Sequence, residues 1–308
     1  MASFGLIHIS DLHLGFGGSS IPGAQDHEAR VLWDLLITLA EIRETKTFPY
    51  YLVISGDATS SGAVNEFEYY TMLRDRGLMW DNGRQFEALR SGMSGLLDIP
   101  GNHDYWDGQM VNPKINPSAR SYFSPPPWIL NVQLGGFSIN FHGICSAFGA
   151  AGPNQRWAVG QFDRNEFSGL TSQIAAADAA GKQRGFSPID FIITHHSPRF
   201  CDGAGNTDLD PASHQDLVNL CAANANIKGL LTGHVHAYRI GNRSGDGLEA
   251  RCSTTTQMHT FLNHPHRGFL QHEFSETKQG RLNWTITPWE DTRSAFKPIH
   301  KCRESYLL

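Results

Sequence analysis

Five short runs concentrate the side chains of this sequence that can hold metal ions or move protons. They are Asp11-Leu12-His13, Gly56-Asp57, Gly101-Asn102-His103-Asp104, Thr194-His195-His196 and Gly233-His234-Val235-His236. Imidazole suits zinc, iron and manganese, while carboxylate and amide oxygens suit manganese and iron. A carboxylate shared by two cations offsets their mutual repulsion, and an asparagine adds an oxygen donor without adding charge. Two metals about 3.5–4 Å apart can clamp the attacking and leaving oxygens of a phosphoryl centre. A single Asp or His after a strand is an ordinary cap or turn residue. Five such runs in one chain call for a common explanation.

Each run follows a short apolar stretch, at residues 6–9, 51–54, 96–99, 191–193 and 229–231. Sheet-based folds gather ligands at one edge, where strands end. Residues 4–9 and 50–54 read as buried strands, and 95–99 as a weaker one stopped by Pro100-Gly101. Val31, Leu32, Leu35, Leu36, Leu39 and Ile42 recur at helical spacing across 28–46. A second helix is expected over 66–74. Residues 112–127, rich in Pro and Ser, read as a surface excursion. Gly135-Gly136 between apolar runs 129–134 and 137–144 signals a hairpin. Helices are expected over 164–180 and 215–223, and strands over 189–194 and 228–232. Runs 249–253, 268–274 and 281–287 read as meander strands. Strands alternate with helices early and follow one another late, which predicts an α/β protein with two packed sheets and helices outside. The expected division is a domain over 1–289 and a C-terminal tail over 290–308.

In order, the runs read SDLHLG, SGDATSSG, PGNHD, THHSP and TGHVH. This series resembles the calcineurin-like metallophosphoesterase superfamily and covers the chain from Asp11 to His236. The resemblance implies a four-layer αββα sandwich of two mixed sheets with a dinuclear metal site at one sheet edge. By resemblance, Asp11, His13 and His236 hold a first metal, and Asn102, His195 and His234 a second. Asp57 bridges them. The two ions would be divalent or trivalent manganese, iron or zinc. His195 stands next to His196, which is the alternative ligand. His103 resembles the non-ligand histidine that contacts the phosphate and assists the leaving group, with Asp104 as the residue that orients it.

The implied activity is hydrolysis of a phosphodiester, of cyclic-nucleotide or glycerophosphodiester type, by a hydroxide held between the metals. Phosphomonoester hydrolysis is the alternative, because the extra domains of purple acid phosphatases and 5′-nucleotidases are not evident. A nuclease fits less well because the net charge is negative, and a scaffold that has lost its chemistry because every ligand position and His103 are filled.

Composition narrows the partners. The 308 residues are 40% hydrophobic and 18% charged, which excludes a disordered chain. The formal net charge of −5 argues against a nucleic-acid partner and leaves room for a small phosphorylated substrate. No apolar stretch approaches the roughly 20 residues of a membrane span. The five cysteines form no Cys-x-x-Cys pair, and with no secretory signal pattern the expectation is a cytoplasmic protein with reduced thiols. Other histidines have blander readings: His8 and His142 as core residues, His27 and His214 as surface residues. His259, His264 and His266 read as surface or a substrate-side loop before a third metal site. Asn65 reads as a helix cap before a substrate contact, and Tyr105 and Trp106 as packing before stacking.

Overall fold

The fold is taken from a computed structural model that describes residues 2–15, 27–45, 47–79, 83, 85–106, 118–147, 159–198, 208–242, 248–257 and 267–308. In chain order the elements begin with β1 (Ser3–Ile9), α1 (Ala29–Thr45), β2 (Tyr50–Ile54), α2 (Val64–Asp75), β3 (Leu78–Met79), β4 (Gln85–Phe86), β5 (Gly95–Asp98) and α3 (Asn102–Tyr105). Then come β6 (Ile129–Leu134), β7 (Phe137–Gly143), α4 (Arg164–Gln183), β8 (Ser187–Ile193), α5 (Pro211–Ala223) and β9 (Ile227–Thr232). The chain continues through β10 (Arg239–Asn242), β11 (Leu248–Arg251), β12 (Gly268–Glu276), β13 (Leu282–Asp291), β14 (Phe296–Pro298) and β15 (Glu304–Leu307).

Two mixed sheets stack between helices. The first runs β14-β13-β12-β1-β2-β5 with β15 also on β13, and the second runs β10-β11-β9-β8-β7-β6. Alternation along β1 shows why the layers form. Phe4 and Leu6 face the second sheet, while Ile7 and Ile9 face α1 and α2. The strand period of two thus gives one face to each neighbouring layer. On the far side, Ile192 and Leu230 pack under Leu170, Ile174 and Leu217 of α4 and α5. The result is the expected four-layer αββα sandwich. Between the sheets, Phe191 stacks on Phe141 at 5.2 Å and meets Trp284 edge-on at 4.8 Å.

Several sequence expectations need correction. Residues 249–253 are not a meander neighbour of β12, because β11 runs parallel to β9 in the second sheet. The segment 290–308 is not a loose tail. Residue 290 lies inside β13, and β14 and β15 both pair with that strand. Asp291 bonds Arg30 of α1 at 2.8 Å and Arg267 at 3.0 Å. α5 starts four residues early, because Asp210 caps it and Pro211 fills its first turn. Strands β3, β4 and β10 had not been anticipated. Of the expected surface excursion, residues 112–117 lie outside the described residues, as do His259, His264 and His266. No helix among the described residues is long and apolar enough to cross a membrane.

Phe191 is fully buried where both sheets meet. Phe191→Ala should lower unfolding stability by about 3–5 kcal/mol, the range for aromatic truncation in a core. Urea denaturation checks this, and a loss under about 1 kcal/mol would mean the sheets can collapse onto the gap.

Candidate dinuclear metal centre

The candidate residues come from the ends of five strands that point the same way. Asp11 and His13 follow β1, Asp57 follows β2, and Asn102 and His103 open α3 just after β5. His195 follows β8, and His234 and His236 follow β9. The loops after β1 and β2 stay paired beyond the strands, through Asp11 N–H to Gly56 O and His13 N–H to Asp57 O, each 3.0 Å. A left-handed backbone turns the side chains inward. Among described non-glycine residues, positive φ occurs at Asp11, His13, Asp57, His234, His236 and Arg293, so five of the six are candidate ligands. Such angles are uncommon outside glycine, and Asp and His tolerate them better than most.

Close approach depends on two glycines. A Cβ on Gly56 (φ +107°) would lie 2.4 Å from His195 Nδ1, and one on Gly101 would lie 2.2 Å from Asp57 Oδ1. The Gly-Asp and Gly-Asn-His pairings therefore reflect space as well as turn geometry.

Two donor sets meet at Asp57. In the first, His236 Nε2 lies 3.1 Å from Asp11 Oδ1 and 3.2 Å from His13 Nε2, and His13 Nε2 is 3.9 Å from both Asp11 Oδ1 and Asp57 Oδ2. In the second, His195 Nε2 lies 3.1 Å from both Asp57 Oδ2 and Asn102 Oδ1. His234 Nδ1 is 3.0 Å from Asn102 Oδ1 and 3.3 Å from His195 Nε2. Metal–ligand bonds of about 2.0–2.2 Å place neighbouring ligands on one ion roughly 3–3.6 Å apart. Asp57 Oδ2 belongs to both sets, while its Oδ1 accepts the His103 backbone N–H at 2.9 Å.

The donor chemistry fits cations. Asp11 Oδ1 is buried, and the polar groups it faces among the described residues are the imidazoles of His236, at 3.1 Å, and His13, at 3.9 Å. A buried acceptor without a partner is costly. Nε2 of His13 and Nε2 of His236 face each other at 3.2 Å, and a proton on either serves only that contact. Burial alone would raise Asp11 and Asp57, yet the surrounding imidazoles hold both below the usual carboxylate range. Burial disfavours a charged His195, but Asp57 outweighs it and pushes that ring up to about 10. Burial, with the His195 charge, takes His234 down to about 3. The pocket favours positive charge at its centre, which ions between these donors would supply.

His195 points into the cluster, with its Nδ1 donating to Ser55 O at 2.8 Å. His196 Nδ1 lies 2.8 Å from Ser146 Oγ, and its buried Nε2, with no hydrogen-bond partner among the described residues, groups with His195 and His234 as a candidate ligand. His103 is a correction to the expected arrangement. Its Nδ1 donates to Ser60 O at 2.8 Å, so a backbone carbonyl orients the ring in place of Asp104. Asp104 Oδ1 accepts from Thr59 N–H and O–H, both at 2.8 Å. Asp104 Oδ2 accepts from Gly101 N–H at 2.8 Å and Ala58 N–H at 3.2 Å. Four donors on one buried carboxyl make Asp104 a brace for the Asp57 loop. Sequence adjacency suggested the wrong partner because α3 turns consecutive side chains apart.

Other residues support the site without ligand-type signals. Thr254 Oγ1 donates to Asp11 O at 2.8 Å, and Thr256 Oγ1 to Leu12 O at 2.5 Å. Only a Ser-Thr run marked this strap in the sequence. His8 is a core residue with Nε2 2.8 Å from Ser55 Oγ, and His142 is buried 2.9 Å from Asp190. His27 and His214 are half-buried, and Asn65 is exposed inside α2, whose cap is Ala63. Trp106 packs edge-on against His103 at 5.4 Å, and Tyr105 packs into the core beside Cys145.

A two-sheet sandwich with carboxylate, amide and imidazole donors gathered at one edge is the architecture of a metallophosphoesterase. The profile of the calcineurin-like phosphoesterases matches residues 4–238, and the chain belongs to that family. Members of this family typically bind two metal ions. Among solved structures, a dimetal phosphatase from Danio rerio aligns at 11% identity and TM-score 0.56, covering 96% of this chain and 98% of its own. A Staphylococcus aureus protein provisionally described as a 5′-nucleotidase aligns at 12% identity and TM-score 0.52, over 99% of this chain and 54% of its own. Vacuolar protein sorting 29 from Cryptosporidium parvum aligns over the whole of both chains at 14% identity and TM-score 0.45. These likenesses concern the fold. No curated protein sequence matches the chain significantly.

Asp57 faces both donor sets and Asp11 only one. Asp57→Asn should therefore bind less metal per chain than Asp11→Asn, measured by elemental analysis after manganese loading. Equal occupancy in the two variants would remove Asp57 from the bridging position.

Proposed function

We propose that this protein hydrolyses a phosphodiester, of cyclic-nucleotide or glycerophosphodiester type, with two metal ions. The observation that carries the reading is the sharing of Asp57 Oδ2 between two donor sets. Asp11, His13, His236 and Asp57 would hold one ion, and Asn102, His195, His234 and Asp57 the other. Such ions supply Lewis acidity toward a phosphoryl oxygen and lower the pKa of a nucleophilic water. Manganese, iron and zinc all suit the donors. The preference for a diester is supported by the resemblance to single-domain phosphodiesterases, and the negative net charge favours a small substrate over a nucleic acid. Free thiols at Cys145, Cys221, Cys252 and Cys302 support a cytoplasmic setting.

His103 is the residue placed to serve the leaving group. It is 8% exposed, whereas Asp11, His13 and His195 are fully buried, so it stands nearer the open side. Its ring meets His13 edge-on at 4.6 Å. With Nδ1–H on the Ser60 carbonyl, the ring keeps its orientation whether or not Nε2 carries a proton. Nε2 can then give a proton to a departing oxygen without a change of tautomer.

Metal-depleted protein should be inactive, and manganese should restore it best among common divalent ions. The restored protein should show higher kcat/KM for bis-p-nitrophenyl phosphate than for p-nitrophenyl phosphate. Hydrolysis by protein shown metal-free by elemental analysis would overturn the metal reading. A monoester preference would make the protein a phosphatase.

His103→Ala should keep its metal and lose rate by about 10²–10⁴-fold on a diester with an alkyl leaving group. p-Nitrophenol departs as an anion, so its esters should lose much less. Lost metal would make His103 a ligand, and equal losses on both substrates would make it a phosphate-binding residue.

A further inference from the structure

The candidate imidazoles differ in what holds their outer nitrogen. His195 donates from Nδ1 to a backbone carbonyl. Nδ1 of His13 and of His236 has no partner among the described residues. His234 is reversed, with Nδ1 inward, 3.0 Å from Asn102 Oδ1. Its outer Nε2 lies 3.5 Å from Asp208 Oδ1. Among the described residues, His234 is the one candidate ligand whose outer nitrogen faces a carboxylate.

Asp208 is firmly placed. It is 6% exposed, and its Oδ2 accepts the Ser197 N–H at 2.9 Å. Its carbonyl takes the Gly160 N–H at 2.6 Å, and Asp210 returns a bond to Gly160 O at 2.8 Å. Two residues on, Asp210 caps α5. Both carboxyl oxygens thus face fixed groups, one the Ser197 N–H and the other the His234 ring.

The geometry points to Asp208 as a positioning residue that selects the His234 tautomer in which Nδ1 presents its lone pair to the second metal. An imidazole carries one lone pair per neutral ring, and the partner of the far nitrogen decides where it lies. A carboxylate is an acceptor only, so it draws the proton to Nε2. This inference rests on the dinuclear reading above. It also implies that the two metal positions are held unequally, because among the described residues the first set has no such carboxylate behind its imidazoles.

Asp208→Asn tests it. The variant is nearly isosteric, but its side chain has one oxygen for two tasks. The buried Ser197 N–H requires that oxygen, so the amide NH₂ turns to His234 Nε2. It donates there, and the ring proton moves to Nδ1, where the metal should be. Manganese binding, followed by calorimetric titration and counted by elemental analysis, should show one binding step weakened about 10–100-fold, the range for outer partners of ligating histidines. The other step should stay within about threefold, and the thermal midpoint should hold. In a His234→Ala background, adding Asp208→Asn should change manganese binding no further. Should Asp208→Asn fail to fold, Asp208→Ser removes the charge and leaves a hydroxyl for the Ser197 N–H, with the same expected binding pattern. Unchanged binding in the variant overturns the proposal. Equal weakening of both steps with a lowered thermal midpoint also overturns it and makes Asp208 a loop brace. Wild-type protein that takes up no manganese overturns the dinuclear reading itself.

Discussion

The site depends on placing one carboxylate, Asp57, almost wholly buried at the point where two groups of imidazoles converge. Its Oδ1 is held by the His103 backbone N–H, and its Oδ2 faces His195 and His13. A buried carboxylate is tolerable only with strong compensation. That requirement explains much of the neighbourhood. Gly101 stays bare so that the α3 turn can approach, Asp104 ties the residues after Asp57 to that turn, and the β1 loop remains paired with the β2 loop. The two sheets matter to function chiefly because they bring donors from β1, β2 and β5 against donors from β8 and β9.

The left-handed ligand residues show a stability cost accepted for geometry. Asp11, His13, Asp57, His234 and His236 hold positive φ while their side chains converge. Sparsely populated backbone angles persist only where the surroundings over-determine them. Here the surroundings are the paired loops, the hydroxyls of Thr254 and Thr256, and the His234 N–H, which donates to Asp11 Oδ2 at 3.1 Å. The last contact ties the end of β9 to the end of β1, so each donor set helps to fix the other.

Much of this was legible in the residues. Strands before each run, the helix over 28–46 and the hairpin at Gly135-Gly136 are strong local signals, and all three stand where expected. What failed was pairing between distant segments. β11 is four residues long, and nothing within it tells that its neighbour is β9 and not β12. β14 and β15 are three and four residues long, too short for alternation to show, and they owe their form to β13. The Asp210-Pro211 pair signals the start of α5, but the apolar spacing that suggests a helix begins later. At the site, ligand-type residues were easy to name. Their orienters were not, since Ser55 and Ser60 act through backbone carbonyls that any residue possesses.

One pairing has a consequence for synthesis on the ribosome. β1 lies between β2 and β12, with Ser3 opposite Ser275. While the chain is being made, β1 can join β2 early, but its other edge stays open until β12 has cleared the exit tunnel. The Thr254–Thr256 strap behind Asp11 arrives in the same late stretch. From the emergence of β2 until that of β12, then, the nascent chain carries an apolar strand with one bare edge, the kind of surface that recruits chaperones or pairs wrongly. β1, made before the other strands of both sheets, is among the last of them to be completed.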